Sequence, residues 1–413
     1  MFARIYLGRS MVLLACLSCA GMAAWAQTPT DNPADQTLFE AKGLPLGGFR
    51  LFPTLDVGAN YDDNVLRTDV GQINDWYFSI KPAFLLTSEW SRHMLRLRAV
   101  YDEYLYNRLP DESHGDLDVA ADGRLDLWNG MNLSATSSYE ILHEARTSAD
   151  LPANAVKETR YSDFHAGLDI DHSLGALGIR GGATFDQYNY SPTLLSGGAT
   201  LDNRDRNRDE YQVYAKADYE FSLGYAAFVR AAYNDRSYEL AVDASGVNRN
   251  STGVRIDGGL DLEITRLLEG SVYAGYLQQN YKLPLKNVSG ADYGTSLTWY
   301  PTPLVTVKLE AQHRIAETTL SNTAAANEQD VKLTADYSFR HDITLDGGVG
   351  YVEDRFSGAG RTDQIVSLNV GVKYFMNEYI YWRAGYQYST RSSTITIFGF
   401  HDSTAMINLG LQL

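Results

Sequence analysis

From Leu51 onward, apolar and polar residues alternate with period two, segment after segment. Val254, Ile256, Gly258, Leu260, Leu262 and Ile264 fall on one side of such a segment, and Arg255, Asp257, Asp261 and Glu263 on the other. Val331, Leu333, Ala335, Tyr337 and Phe339 likewise oppose Lys332, Thr334, Asp336, Ser338 and Arg340. Successive side chains of a strand point to opposite faces, so each segment reads as a strand with one apolar and one charged face. The segments run about 11–16 residues. Sandwich strands are commonly about 5–6 residues, whereas a tilted membrane strand needs about 9–11. About eighteen segments, the first near 51–65 and the last near 402–412, are separated by connections that alternate between very short and long. Short ones are Trp128-Asn129-Gly130, Leu174-Gly175-Ala176, Pro301-Thr302-Pro303 and Met376-Asn377-Glu378; long ones are Ala145–Thr159, Ser191–Arg208, Ala241–Asn250, Thr318–Asn327 and Ser392–His401. The pattern predicts an all-β chain: a transmembrane antiparallel up-and-down β-barrel of about 18 strands over residues 50–413, with short periplasmic turns and long extracellular loops.

A soluble two-sheet sandwich, with the apolar faces as its core, is the alternative. Strand length and loop alternation argue against it, and energy decides which face of a barrel meets lipid. One Arg or Lys at the bilayer midplane costs about 2–4 kcal/mol on the lipid face. Several faces like Arg255/Asp257/Asp261/Glu263 would then exceed a net stability of roughly 5–15 kcal/mol. The charged faces are expected to look into a wet interior, and barrels of about 16–18 strands leave an aqueous channel.

Aromatic residues add a second pattern. Every second strand carries a ring near the same depth of its apolar face: Tyr61, Tyr101, Tyr139, Phe185, Tyr233, Tyr276, Tyr351 and Tyr386, with His313 in the corresponding place on one strand. Amphipathic rings favour the membrane–water boundary, so these residues predict the outer membrane girdle; cross-strand packing is the structural alternative. The opposite parity collects candidates for the lumen wall and substrate path. They are Arg96, Arg98, Asp102, Tyr104, Arg124, Arg180, Asp186, Tyr188, Arg230, Arg255, Asp257, Tyr273, Lys308, Glu310, Lys332, Asp336, Tyr381 and Arg383. Pairing across neighbouring strands is the plain reading for any one charge. Rings among paired charges also suit a hydrated, hydroxyl-rich solute.

Composition narrows the classes. The chain has 35 Lys plus Arg against 51 Asp plus Glu, a formal charge of −16, which disfavours nucleic-acid binding. Arg4 and Arg9 precede an apolar stretch, Met11–Ala24, and the Ala24-Trp25-Ala26 cleavage pattern, so residues 1–26 read as a secretory signal peptide. A lipoprotein cut before Cys16 is the alternative. Both cysteines, Cys16 and Cys19, fall inside the signal, leaving a mature chain without thiols. Residues 27–49, rich in Pro, Asp, Thr and Ala, read as a flexible periplasmic lead-in, with a plug or docking peptide as the alternative.

Chemistry is sparse. No His-Glu-x-x-His, Gly-x-Ser-x-Gly or phosphate-binding glycine loop occurs, and the histidines are scattered among turns and strand ends. Neither an enzyme activity nor a cofactor or metal is expected. His143 with Glu140 and Glu144 is the nearest imitation of a barrel active site. The charge-dense stretch Leu201–Glu210 reads as a solvated loop, with calcium or lipopolysaccharide bridging as the alternative.

Tyr61-Asp62-Asp63-Asn64-Val65-Leu66-Arg67-Thr68, ending the first strand, resembles the Tyr-Asp-x-Asn-apolar-x-Arg opening of outer-membrane barrels from exopolysaccharide gene clusters. The chain thus resembles the EpsL-like family. The resemblance implies a Gram-negative outer-membrane channel that exports extracellular polysaccharide, fed by periplasmic export machinery and surrounded by outer-membrane lipid and lipopolysaccharide. Its closing residues, Gly410-Leu411-Gln412-Leu413, depart from the terminal aromatic of many barrels. A general small-solute porin and a surface-structural or adhesive barrel are the alternative functions.

Overall fold

The computed structural model describes residue 39 and residues 41–128, 130–264, 267–318, 320 and 323–413. The expected signal peptide and most of the lead-in lie outside the described residues. Eighteen long strands form one antiparallel ring: β1 Phe49–Asp62, β2 Asp75–Ser88, β3 Met94–Tyr106, β4 His114–Asp126, β5 Met131–His143 and β6 Arg160–Leu174. β7 Leu177–Tyr190, β8 Arg208–Ser222, β9 Tyr225–Tyr238, β10 Ser251–Ile264, β11 Leu268–Tyr281 and β12 Val288–Thr302 continue it. β13 Val305–Ala316, β14 Ala326–Arg340, β15 Ile343–Phe356, β16 Arg361–Phe375, β17 Ile380–Ser393 and β18 Phe400–Gln412 complete it. β18 pairs with β1, from Thr54 opposite Gln412 to Asp62 opposite Thr404, so the sheet closes on itself and leaves no edge. Strands meet their ring neighbours rather than strands across the centre. No helix among the described residues is long and apolar enough to cross a membrane.

The ring reverses at one rim through tight turns. Gly175 and Gly224, at φ +69° and +79°, occupy two-residue connections that need a left-handed residue. Both ends of the barrel, Phe49 and Gln412, lie at this rim, the periplasmic one in such architectures. The other rim carries the longer connections, among them 144–159 and 191–207. The alternation of length is not strict: 357–360 at the outer rim is shorter than 89–93 at the inner. β12 also runs through Pro301 to Thr302, where its register with β13 shifts, so the turn falls later than the Pro-Thr-Pro spacing suggested.

The end of the lead-in is not free chain. Leu44–Leu46 pairs antiparallel with Phe49–Leu51, Lys42 bonds Glu378, and Phe39 stacks on Phe375 at 6.1 Å. It is pinned to the inner rim.

Outside, Val229 and Ile256 are each 64% exposed, and Leu168, Val213, Leu333, Val370 and Ile407 continue the apolar band around the ring. Burying one such side chain stabilises by about 1.5–3 kcal/mol, a gain that this band makes against lipid and would forgo in water. An apolar surface that encircles the molecule is the surface of a membrane barrel.

Candidate functional site: the interior wall and the outer mouth

The girdle candidates all sit on the outer surface. Tyr101, Tyr139, Tyr233, Tyr276 and Tyr386 are exposed, while Tyr61, Phe185 and Tyr351 are half-covered. Tyr61 packs against Trp76 at 5.1 Å and Phe185 against Tyr211 at 5.0 Å. The hydroxyls of Tyr101, Tyr276, Tyr351 and Tyr386 donate to Glu103, Gln278, Glu353 and Ser403, each a step nearer the outer rim. Each ring therefore has an apolar body toward mid-barrel and a polar tip toward the rim. His313 shares this surface but is buried beneath Tyr293, its ring stacked at 5.3 Å. Sequence reasoning missed a second belt near the inner rim, where Tyr219, Trp299, Phe339, Tyr374 and Trp382 are exposed on the same face. Tyr211 and Tyr219 on β8 are eight residues apart. At ~3.4 Å per residue and a ~40° tilt, that is about 20 Å of depth, close to the ~25 Å apolar band of such barrels.

The opposite parity faces inward, and most of its charges are paired. Arg98 meets Asp118 at 2.6 Å, Asp102 meets Lys81 at 2.7 Å, and Arg124 meets Asp126 at 3.0 Å. Arg180 meets Asp171 at 3.0 Å, Arg230 meets Asp257 at 3.0 Å, Arg255 meets Asp292 at 3.1 Å, and Arg383 meets Asp346 at 3.1 Å. Asp186 bonds His165 at 2.6 Å. Arg96 lies opposite Asp122, Glu310 opposite Lys332, Lys308 opposite Thr334, and Asp336 opposite Asp346 in register. Adjacent opposite charges lower the cost of lining the wall.

Two inward tyrosines project less than their parity suggested. A Cβ on Gly410 would fall 2.0 Å from the Tyr381 ring, and one on Gly294 would fall 2.7 Å from that of Tyr273. These rings lie down over glycines of the neighbouring strand, and Tyr381 donates to Asp56 at 2.6 Å. Tyr188 is buried beneath the Arg208 guanidinium, 4.1 Å from its ring centroid. Tyr104 belongs to a different arrangement. Tyr106 and Tyr77 stack at 4.8 Å, Tyr77 reaches Tyr104 at 6.0 Å, Tyr104 reaches His114 at 4.9 Å, and His114 reaches His143 at 4.8 Å. Five half-buried rings thus make an arc across β2–β5 on the inner wall, near the outer mouth. Parity alone could have placed Tyr77 and Tyr106 inward; the histidines, at irregular strand ends, carried no such signal.

The mouth is built from loops that fold inward. Glu144 takes both guanidinium nitrogens of Arg206, at 2.9 and 2.5 Å, and Arg206 lies over Tyr190 at 4.0 Å. Burial opposes the charged form of Arg206, yet Glu144 holds its pKa above the ordinary value. Glu317 accepts from Arg236, from Tyr238 at 2.7 Å and from Tyr281 at 2.9 Å, drawing the loop after β13 toward β9 and β11. The stretch 201–210 is therefore only partly solvated: Asp202 and Arg204 are exposed, whereas Arg206 is buried. Burial also pushes the Glu158 carboxyl up to about 7, with the like charge of Glu112 adding to the effect.

The family-like stretch Tyr61–Thr68 lies at the seam between β1 and β18. The Asn64 side-chain amide donates to the carbonyls of Thr68 and His401, both at 2.8 Å. Arg67, at φ +54°, donates to Asp62 at 3.0 Å and to Asp402 at 2.6 Å. Asp62, Asp63 and Asp402 bring carboxylate oxygens within 4.8 Å of one another, and Arg67 supplies the positive charge among them. His143 bonds Asp116 at 2.9 Å, and its ring lies tilted against that of His114 at 4.8 Å.

A closed ring of eighteen tilted strands, apolar outside and charged within, is a porin-like barrel of the Gram-negative outer membrane. The chain belongs to the family described as "Putative beta-barrel porin 2", whose model matches residues 36–413. Among solved structures it is similar to the siderophore receptor PirA from Acinetobacter baumannii, at 8% identity and TM-score 0.46, over 88% of this chain and 80% of that one. It is also similar to OccK1 (OpdK) from Pseudomonas aeruginosa, at 10% and 0.43, over 88% and 99%. OpdL from the same organism gives 14% and 0.42, over 89% and 100%. Curated proteins provide no match.

Proposed function

We propose that this porin-family barrel is the outer-membrane passage through which an extracellular polysaccharide leaves the cell, moving cargo rather than transforming it. The arc of Tyr106, Tyr77, Tyr104, His114 and His143 is the observation that carries the reading. Ring faces offer sugars an apolar stacking surface, and neighbouring Asp102 and Asp116 offer acceptors for hydroxyls. The paired wall beyond them presents hydration without a ring of single-sign charge, which suits a neutral or mixed polymer better than a selected ion. The EpsL-like resemblance of Tyr61–Thr68 favours the same role, with periplasmic export machinery as the supplier of polymer. Deleting the gene and restoring it with wild-type or Tyr77→Ala/Tyr104→Ala protein tests the reading. Surface polysaccharide should vanish on deletion, return with the wild type and fall several-fold with the variant at equal barrel level. Unchanged secretion after deletion rejects the role.

The same paired wall also favours a second reading, a general small-solute porin. Reconstituted protein would then carry sugars and small ions alike, with no effect of Tyr77→Ala/Tyr104→Ala on surface polymer.

A further inference from the structure

The connection between β5 and β6, residues 144–159, does more than join two strands. Its near end is rooted in buried pairs: Glu144 with Arg206, and Arg146 with Glu112. Arg146 also donates to the carbonyls of Ala155 and Val156, at 2.9 and 3.0 Å, tying the loop's two limbs together. Its far end reaches across the ring. The Thr318 hydroxyl donates to Asp150 at 2.8 Å, and Arg391 donates to the Thr147 carbonyl at 2.6 Å. Thr318 follows β13, eight places around an eighteen-strand ring from β5, and Arg391 stands on β17. A segment held at these points spans the opening.

We propose that residues 144–159 are a strap that closes the outer mouth at rest, and that releasing its far end opens the passage. The fastenings are unequal. The root is made of bidentate carboxylate–guanidinium pairs with both partners buried, the strong form of the interaction. The far end is held by contacts whose wall-side partners keep other supports. Thr318 is anchored by its own carbonyl, which accepts from Arg249 at 2.6 Å. Arg391 retains the Phe398 carbonyl at 2.5 Å, Asp363 at 4.0 Å and the Phe400 ring at 5.1 Å. Lifting the strap frees the Thr318 hydroxyl and Arg391 Nη1 at a mouth that water then enters, so the open state costs less than breaking the buried root pairs would. The inference concerns the passage and holds whichever cargo uses it.

The test uses the full-length barrel in planar bilayers with potassium chloride. The mature chain is expected to lack thiols, so Asp150→Cys/Thr318→Cys can be bridged by a short thiol-reactive cross-linker, with bridging read as a gel shift. The bridged pair should stay at the lowest conductance, and Asp150→Ala should conduct severalfold more than wild type on average. A variant with 148–153 replaced by Gly-Gly should remain open. Equal conductance in the bridged pair, Asp150→Ala and the shortened loop overturns the strap. If all three conduct freely while deletion still abolishes polymer secretion, the gate fails and the export reading stands.

Discussion

Arg67, in the loop after the first strand, donates to the carboxylate of Asp402 on the last strand at 2.6 Å. The two residues are neighbours only because the ring closes, and Asn64 reinforces the join through the His401 carbonyl. The Tyr61–Thr68 stretch is thus a closure device. Asn64 is fully buried and its side chain makes four hydrogen bonds around the seam, two donated by Nδ2 and two accepted by Oδ1 from Thr68, so Asn64→Ala should cost about 1–3 kcal/mol for each buried group left unpaired. The variant should unfold at lower temperature on a heat-modifiability gel. An unchanged transition would show that the seam does not depend on this residue.

Closure was legible in the sequence in outline and hidden in detail. The alternation around Val254–Ile264 placed a strand at 251–265, and Ser251–Ile264 is the strand found. Strand parity follows from local order, because period two needs no knowledge of the rest of the chain. Asp150 and Thr318 lie 168 positions apart in segments without a period, and nothing local announces their contact. Composition misled for the same reason at 201–210, where exposed Arg204 and buried Arg206 are the same residue type two positions apart. The inner belt of Trp299, Phe339 and Trp382 was readable, since it shares the outward parity already assigned.

Lipid exposure predicts an asymmetry between neighbours. Ile256 faces outward and Arg255 inward. Ile256→Arg should lower barrel stability in bilayers by about 2–4 kcal/mol if it lies near the midplane, whereas Ile256→Leu should be nearly neutral. Folding yield into vesicles at graded urea measures the difference.

Glu158 predicts the effect of pH on the mouth. Its carboxyl titrates near 7 in the docked loop, where burial and Glu112 disfavour the charge and Arg146 and His143 partly offset them. His114 also faces it, at 3.7 Å. A carboxyl with a raised pKa holds a proton that the undocked loop has already lost, so docking is most stable below the ordinary value of 4.5, weakens as pH climbs from there to about 7, and levels off above it. Hydrogen exchange across 144–159 should quicken by roughly tenfold or more between pH 5 and pH 8 beyond its intrinsic change. Glu158→Gln should flatten that excess; an equal excess in the variant would assign it elsewhere.

The charged faces look into enclosed water, and adjacent positions on β16 test this most directly. Asn369 faces the interior, and Val370, 49% exposed, faces outward. With single cysteines at each site in vesicle-inserted protein, a water-soluble, membrane-impermeant maleimide should label Asn369→Cys and leave Val370→Cys protected. Labelling at Val370→Cys with protection at Asn369→Cys would contradict the account outright.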